Sequence, residues 1–356
     1  MPINTLNHIW FERIEQLWSH LRVTQRRNLT NLLVGIYLGK SVALNAIAIK
    51  IPGQAVEVSV QRRISRFLGN PAIRVRTCYD PLIEPLLEEI SKNGQVRLLV
   101  DGTKVGNGHQ LLMVSVAYRR RAIPVAWSWV KGSRGHSSAR KQLALLSHVR
   151  SLLPADAKVL LAGDSEFGAV DVIRQAEDWH WDYVLRQKSS HRVQLSGQDW
   201  QAFGDVIQKA GQSVWIEKAL LTQKHAHVTN LLAHWKIGED DPWLLATNLS
   251  AQRATIKAYS LRMWIEEMFG DMKGHGFDLE STRLQHFLKL SRLTFAVVLM
   301  YLWLIAFGSQ VIKAGLRRLV DRNDRRDLSI FQIGLRSIER RLTNQQSLSI
   351  SFRFYS

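Results

Sequence analysis

The sequence predicts a mixed α/β fold carried between two helical, basic ends. Three observations point there. Between residues 95 and 190, short apolar runs of strand length alternate with stretches of helical periodicity. Residues 1–80 and the C-terminal stretch read as helical. Charge follows the same division. Residues 1–80 carry 11 Lys+Arg against 4 Asp+Glu, and residues 281–356 carry 13 against 4, or +7 and +9. Residues 81–280 are left with 24 against 22, or +2.

In order, Ser41–Lys50 is a short helix broken at Pro52-Gly53, and Ser59–Leu68 is a second, ended by Gly69-Asn70-Pro71. In the second, Val60, Ile64, Phe67 and Leu68 share one face while Arg62, Arg63 and Arg66 share the other. Helix, break, basic helix is compatible with a helix-turn-helix-like DNA reader, and equally with a solvated basic face. Val96–Val100 is the first strand, ending at Asp101. Gln110–Tyr118 and Ala122–Val130 follow, joined by Arg119-Arg120-Arg121. Ser137–Leu153 reads as helix, Val159–Ala162 as a fourth strand ending in Gly163-Asp164, Gly168–Trp179 as helix, and Asp182–Leu185 as a fifth strand. Residues 188–242, rich in Ser, Gln, His and Trp, read as a β-rich insertion, a small subdomain. Pro242–Thr247 returns to the core as a strand. A helix from Ser250, as N-cap, to Gly274, as stop, follows. The expected regions are therefore 1–80, 81–187, 188–242, 243–280 and 281–356.

The 356 residues suffice for two or three domains, and 46% apolar with 22% charged residues is ordinary for a globular chain. A net charge of +18 is not. Basic ends around a near-neutral centre suit a polyanion held by the ends and processed in the middle, with nucleic acid ahead of an acidic membrane surface. Cys78 is the only cysteine, which excludes an intramolecular disulfide and zinc-finger spacing. The apolar run Leu293–Gly308 has 16 residues, short of the roughly 20 that span a bilayer, and reads as a core helix. No signal-peptide pattern opens the chain, so a cytoplasmic location is expected.

The stretch Tyr259–Lys273, YSLRMWIEEMFGDMK, sets Tyr259, Arg262, Glu266 and Lys273 on one helical face. Alone, it reads as an exposed face with one Arg–Glu pair. Asp101 and Asp164 change that. If strands one and four are neighbours, the two aspartates lie side by side at the carboxyl ends of the strands, where open α/β sheets place their sites. A helix across that edge would add Glu266. Three carboxylates are hard oxygen donors suited to Mg²⁺ or Mn²⁺. Two such ions about 4 Å apart serve in-line phosphodiester chemistry. Glu166 is a rival ligand. His136 and the His225/His227 pair lack the further ligands that zinc needs. Gly106 and Gly108 belong to a turn rather than a nucleotide loop.

The spacing Tyr, two residues, Arg, three residues, Glu, six residues, Lys resembles the signature of bacterial DDE transposases of the insertion-sequence-four family. Asp101 in LLVDGT and Asp164 in GDSEFG resemble that family's other two catalytic regions. The strand order resembles its RNase H-like core with a β insertion. The resemblance covers residues 95–275 well and the ends loosely. It implies Asp101, Asp164 and Glu266 as catalytic metal ligands for two Mg²⁺ or Mn²⁺ ions. It implies Tyr259, Arg262 and Lys273 as the grip on phosphates, and Trp243, in PWLLAT, as the ring that stacks on a flipped base and allows a hairpin. Trp215 and Trp235 are rivals for that role, and a core role for Trp243 stands nearly level. The implied activity is a transposase acting on double-stranded DNA. It would bind the inverted-repeat ends of its element, cleave by metal-dependent hydrolysis and join the 3′-hydroxyl to target DNA. The implied assembly is a homodimer in the synaptic complex, in a bacterial cytoplasm, at the nucleoid and not at a membrane. A nuclease without strand transfer, or a catalytically silent DNA-binding regulator, is the alternative.

Overall fold

Parallel strands covered on both faces read as unbroken apolar runs, and two segments here do so. Val96–Val105 (β1) buries all of its first five residues but Arg97, and Val159–Gly163 (β4) buries every residue. In the computed structural model, which describes residues 2–106, 108–132, 137–322 and 324–355, these two pair in parallel, Val96 opposite Val159 through Val100 opposite Gly163. Asp182–Arg186 (β5) extends the parallel set on the far side of β4. His109–Tyr118 (β2) and Arg121–Lys131 (β3) extend the sheet, but not its parallel set, beyond β1. Arg119 and Arg120 have φ of 45° and 63°, the left-handed pair that a tight two-residue hairpin turn demands. Arg121 belongs to β3 and not to the turn.

Trp243–Thr247 (β10) runs antiparallel to β5 and carries Arg192–Gln194 (β6), Gln201–Ala202 (β7), Ser213–Leu221 (β8) and His227–His234 (β9) on its other edge. The single ten-stranded sheet has the order β3-β2-β1-β4-β5-β10-β9-β8-β6-β7. The insertion therefore adds strands to the central sheet instead of forming a sheet of its own. The reason is that β10 leaves a free edge, which β9 fills.

The helices are Pro2–Leu17 (α1), Val23–Gly39 (α2), Leu44–Ile49 (α3), Glu57–Leu68 (α4), Val75–Lys92 (α5), Ala139–Leu152 (α6) and Val170–Asp178 (α7), then Gln252–Ser260 (α8), Met263–Met272 (α9), Phe287–Lys313 (α10) and Ile330–Thr343 (α11). The chain divides into two units. One holds residues 1–86, 104–109 and 268–356, and the other 87–103 and 110–267. The basic N- and C-terminal stretches, expected as separate regions, thus share one unit. The expected boundary at 80/81 falls inside α5, which runs through Pro81 and Pro85.

In the first unit, α10 is the axis. Its Trp303 meets Trp10 edge-on at 5.4 Å and Tyr37 at 5.8 Å, and its Phe295 meets Trp18 at 5.5 Å. Buried Arg292 donates from Nε to the Ile73 carbonyl at 2.8 Å and from Nη1 to the Leu68 carbonyl at 2.9 Å, satisfying the end of α4. With 27 residues, α10 exceeds the 16-residue apolar run that marks it in the sequence, because the mixed turns 287–292 and 309–313 continue it at either end. It is long and apolar enough to cross a membrane, yet 89% of its apolar window is buried inside the protein.

Candidate active site

Asp101 and Asp164 are the residues after Val100 and Gly163, which face each other across the parallel β1–β4 pair. The register alone puts the two carboxylates side by side. Asp101 does not end its strand as expected. β1 continues to Val105, and what stops at Val100 is only its pairing with β4. Gly163 is required for this juxtaposition: a Cβ there would lie 2.7 Å from Val100 Cγ1 and 3.1 Å from Leu185 Cδ2. Any larger residue would force the packed side chains of Val100 and Leu185 to shift.

Each aspartate is anchored by a backbone N–H just ahead of it. Gly102 donates to Asp101 Oδ1 at 2.7 Å, and Glu166 donates to Asp164 Oδ1 at 3.0 Å. Asp101 is 7% exposed. Burial first, and then the charge of Asp164, push its carboxyl up to about 7, against the pull of Arg262 and of the Gly102 N–H. Burial raises Asp164 as well, opposed by the Glu166 N–H, Arg262 and Arg186.

The helix expected to run unbroken from Ser250 to Gly274 is two helices. α8 starts at Gln252 behind Ala251, with no side-chain cap, and α9 ends at Met272. The break at Leu261-Arg262 puts Arg262 in the connection, where it reaches inward. Its Nη1 donates to Asp101 Oδ2 at 3.2 Å, and its Nη2 pairs with Glu266 Oε1 at 2.6 Å. The guanidinium lies 5.7 Å from the centre of the Tyr259 ring. Burial works against its charge, but Tyr259, Asp101 and Glu266 outweigh burial and hold it protonated. Tyr259 is 2% exposed. Its hydroxyl and the Arg262 Nε are buried without a hydrogen-bond partner.

The structure thus joins Asp101, Asp164, Tyr259, Arg262 and Glu266. Lys273 lies just past α9 in the other unit, where its ammonium pairs with Glu280 at 2.6 Å. Trp243, half-buried at the start of β10, packs its ring edge-on against Tyr259 at 4.9 Å and lies 6.0 Å from His234. Trp215 packs on the same apolar cluster and donates to Glu217 at 3.2 Å. Trp235 donates to the Glu239 carbonyl at 2.9 Å, within its own turn. Arg62 and Arg66 are exposed and Arg63 is half-buried on α4, opposite buried Val60, Ile64, Phe67 and Leu68. His227 pairs with Glu177 at 3.2 Å, while the His225 carbonyl accepts from Arg174. His136 lies outside the described residues.

Arg186 is absent from the sequence reading. It ends β5, donates to the Pro242 carbonyl at 3.1 Å just before Trp243, and acts on Asp164 and Tyr259 by its charge. The signal for it was available, since Arg186 ends the strand beside β4 on the same sheet edge.

A family model described as a transposase DDE domain matches residues 92–303, more than half of the chain. The chain belongs to the DDE transposase family. No curated protein sequence matches it. Among solved structures, it is similar to a piggyBac transposase studied by cryo-electron microscopy as a synaptic complex with hairpin DNA. The TM-score is 0.46 at 9% identity, over 96% of this chain and 77% of that one. DDE transposases generally work with divalent metal ions. Among the described residues of this transposase, no three His, Cys, Asp or Glu side chains gather closely enough to hold an ion as they stand. The donor chemistry nevertheless fits one. Asp101, buried, and Asp164, half-buried, are hard oxygen donors, and the charge of Asp164 raises the affinity of Asp101 for a proton. Glu266, 41% exposed at its side chain, is linked to Asp101 through Arg262.

Proposed function

We propose that this DDE transposase is of the insertion-sequence-four type, with Tyr259, Arg262, Glu266 and Lys273 as its signature and an RNase H-like arrangement of β1 to β5. It binds the inverted-repeat ends of its element as double-stranded DNA, hydrolyses phosphodiesters there and joins the freed 3′-hydroxyl to target DNA. The observation that carries this reading is the parallel register that lays Asp101 beside Asp164, with Arg262 tying Asp101 to Glu266.

Asp101, Asp164 and Glu266 would hold two Mg²⁺ or Mn²⁺ ions, which when bound activate the attacking oxygen and stabilise the leaving one. Arg262, already charged and with an unpartnered Nε, offers N–H groups to a phosphate. The buried Tyr259 hydroxyl is a second donor beside it. In the first step water attacks phosphorus and the bond to the 3′-oxygen breaks, leaving a 3′-hydroxyl and a 5′-phosphate. In the second that hydroxyl attacks a target phosphodiester, and a target 3′-hydroxyl leaves. Arg62, Arg63 and Arg66 on α4 bind duplex DNA through its phosphates. Two ends must be brought together, so the working assembly is a homodimer bridged by DNA, in the cytoplasm and at the nucleoid.

The test is a linear element end incubated with Mg²⁺ and target DNA and run on a denaturing gel. Nicked and joined strands are expected. Nicks without joining in any condition leave only a nuclease, and intact DNA with bound protein leaves only a DNA-binding regulator.

The stacking role is proposed for Trp243, supported by its ring packing on Tyr259; Trp215 packs on the same cluster, and Trp235 is held in its own turn. Stacking on an unpaired base contributes roughly 1–3 kcal/mol. Trp243→Ala should lower hairpin yield about tenfold or more while leaving the first nick within a few-fold. Unchanged hairpins, or no hairpin from the native chain, would remove the role.

A further inference from the structure

Glu166 stands two residues beyond Asp164, a rival third metal ligand that spacing alone does not exclude. Its contacts say otherwise. Oε1 accepts the Ser137 N–H at 2.8 Å, and Oε2 accepts from Gln110 Nε2 at 2.7 Å. Its carbonyl accepts from Gln142 Nε2 at 2.9 Å, and its own N–H donates to Asp164 Oδ1 at 3.0 Å. Gln110 and Gln142 are 5% and 1% exposed. Gln142 also donates to the Ser137 carbonyl and hydroxyl at 3.1 and 2.9 Å. One carboxylate therefore ties together β2, the turn after β4 and the chain entering α6.

The same network reaches the other aspartate. A Cβ on Gly102 would lie 2.3 Å from Gln110 Nε2 and 3.1 Å from Glu166 Oε2. The Gln110–Glu166 pair thus rests directly on the backbone of Gly102, the residue whose N–H holds Asp101 Oδ1. Asp164 is held by the N–H of Glu166 itself. Both aspartates take their orientation from backbone that Glu166 fixes.

We infer that Glu166 is a positioning residue. It does not ligate the metal. It sets the angle and separation of Asp101 and Asp164, and so the affinity of the pair for a divalent cation. Groups that orient ligands in this way typically change metal affinity by about 10–100-fold when removed. The inference rests on the reading of the two aspartates as metal-holding.

A conservative change separates positioning from ligation. In Glu166→Gln the amide oxygen can still accept from Ser137. The new NH₂ then faces Gln110, whose amide can turn to present its oxygen. The geometry survives while the charge is lost. The experiment is Mn²⁺ binding to the full chain, read as calorimetric affinity and as Mn²⁺-induced rise in Tm, for the native chain, Glu166→Gln, Glu166→Ala, Gln110→Ala and Asp164→Ala. Glu166→Gln should stay within about threefold of native. Glu166→Ala and Gln110→Ala should weaken binding by about 10–100-fold, and Asp164→Ala should lose it. If Glu166→Ala does not fold, Gln110→Ala carries the comparison. A Glu166→Gln protein as damaged as Asp164→Ala makes Glu166 a ligand and overturns the inference, as does native affinity in both alanine variants. No Mn²⁺ binding by the native chain overturns the metal reading itself, and this inference with it.

Discussion

Alanine at Asp101, Asp164 or Glu266 should leave binding of the element ends intact and take Mg²⁺-dependent cleavage below detection. Retention in a gel shift, with the denaturing gel read in parallel, checks both halves. Full cleavage by any of the three would remove that residue from the catalytic set. A second measurement needs no DNA. The carboxyl of Asp101 is pushed up to about 7, whereas an unfolded aspartate titrates near 3.8. Between those values the folded chain holds a proton that the unfolded chain has lost, so stability falls as pH rises through that window. Above pH 7 both states are ionised and the full penalty persists. Below pH 4 neither is, and it vanishes. Metal-free Asp101→Asn should therefore melt above the native chain at pH 8, and the gain should disappear at pH 4. The Asn also forfeits its ion pair with Arg262, but the upward shift already includes that pull, so burial and Asp164 prevail. About 1 kcal/mol moves Tm by roughly 2–4 °C in a domain of this size. Mn²⁺ at pH 8 should raise the native Tm and leave that of Asp101→Asn nearly still. A lower Tm for metal-free Asp101→Asn at pH 8 would show that the Arg262 pair outweighs burial.

The parts of this site that were legible from the sequence are those dictated by local pattern. Val96–Val100 and Val159–Ala162 are continuous apolar runs. Each leads to an aspartate, and burial on both faces marks them as parallel strands, while their register is seen only in the pairing. The remainder is set by tertiary contacts that leave no local trace. Thr103 to Val105 look like part of a turn but stay in β1, which continues past Asp101 beyond its pairing with β4. The periodicity from Gln252 to Met272 is uninterrupted in sequence. The chain nevertheless breaks at Leu261-Arg262, where a helix would aim the guanidinium along its surface and the break lets it reach Asp101. The insertion was legible as β-rich. Its joining the central sheet depends on the open edge of β10, a fact about pairing and not about residues 188–242. Gln110 matters through its contact with Glu166 in the turn after β4, which no spacing along one strand encodes.

Removing the Arg262 guanidinium should destabilise the metal-free protein in a way that grows with pH. Arg262 and Asp101 are 13% and 10% exposed at their side chains, and Glu266 is 41% exposed. The Asp101 arm therefore dominates, because an exposed pair contributes only about 0–1 kcal/mol. Breaking a buried pair by deleting one partner costs about 3–5 kcal/mol when the survivor stays charged. At pH 6 Asp101 can take up a proton instead, so Arg262→Ala should cost less there than at pH 8. Lysine should not rescue. One ammonium cannot serve Asp101 and Glu266 as Nη1 and Nη2 do from a planar fork. A cycle with Asp101→Asn should show coupling of about 0.5–3 kcal/mol at pH 8, since Arg262→Ala matters less once the charge it faces is gone. Strict additivity would mean that the pair contributes nothing. Mn²⁺ then separates the two roles given to this side chain. A divalent cation between the aspartates supplies the positive charge that Arg262→Ala removes, so it should restore much of the lost Tm. It cannot supply N–H groups to a DNA phosphate, so end binding should stay weakened and cleavage should stay low at saturating metal. Recovery of both by metal would reduce Arg262 to a counter-charge. Recovery of neither would place its contribution in the packing against Tyr259.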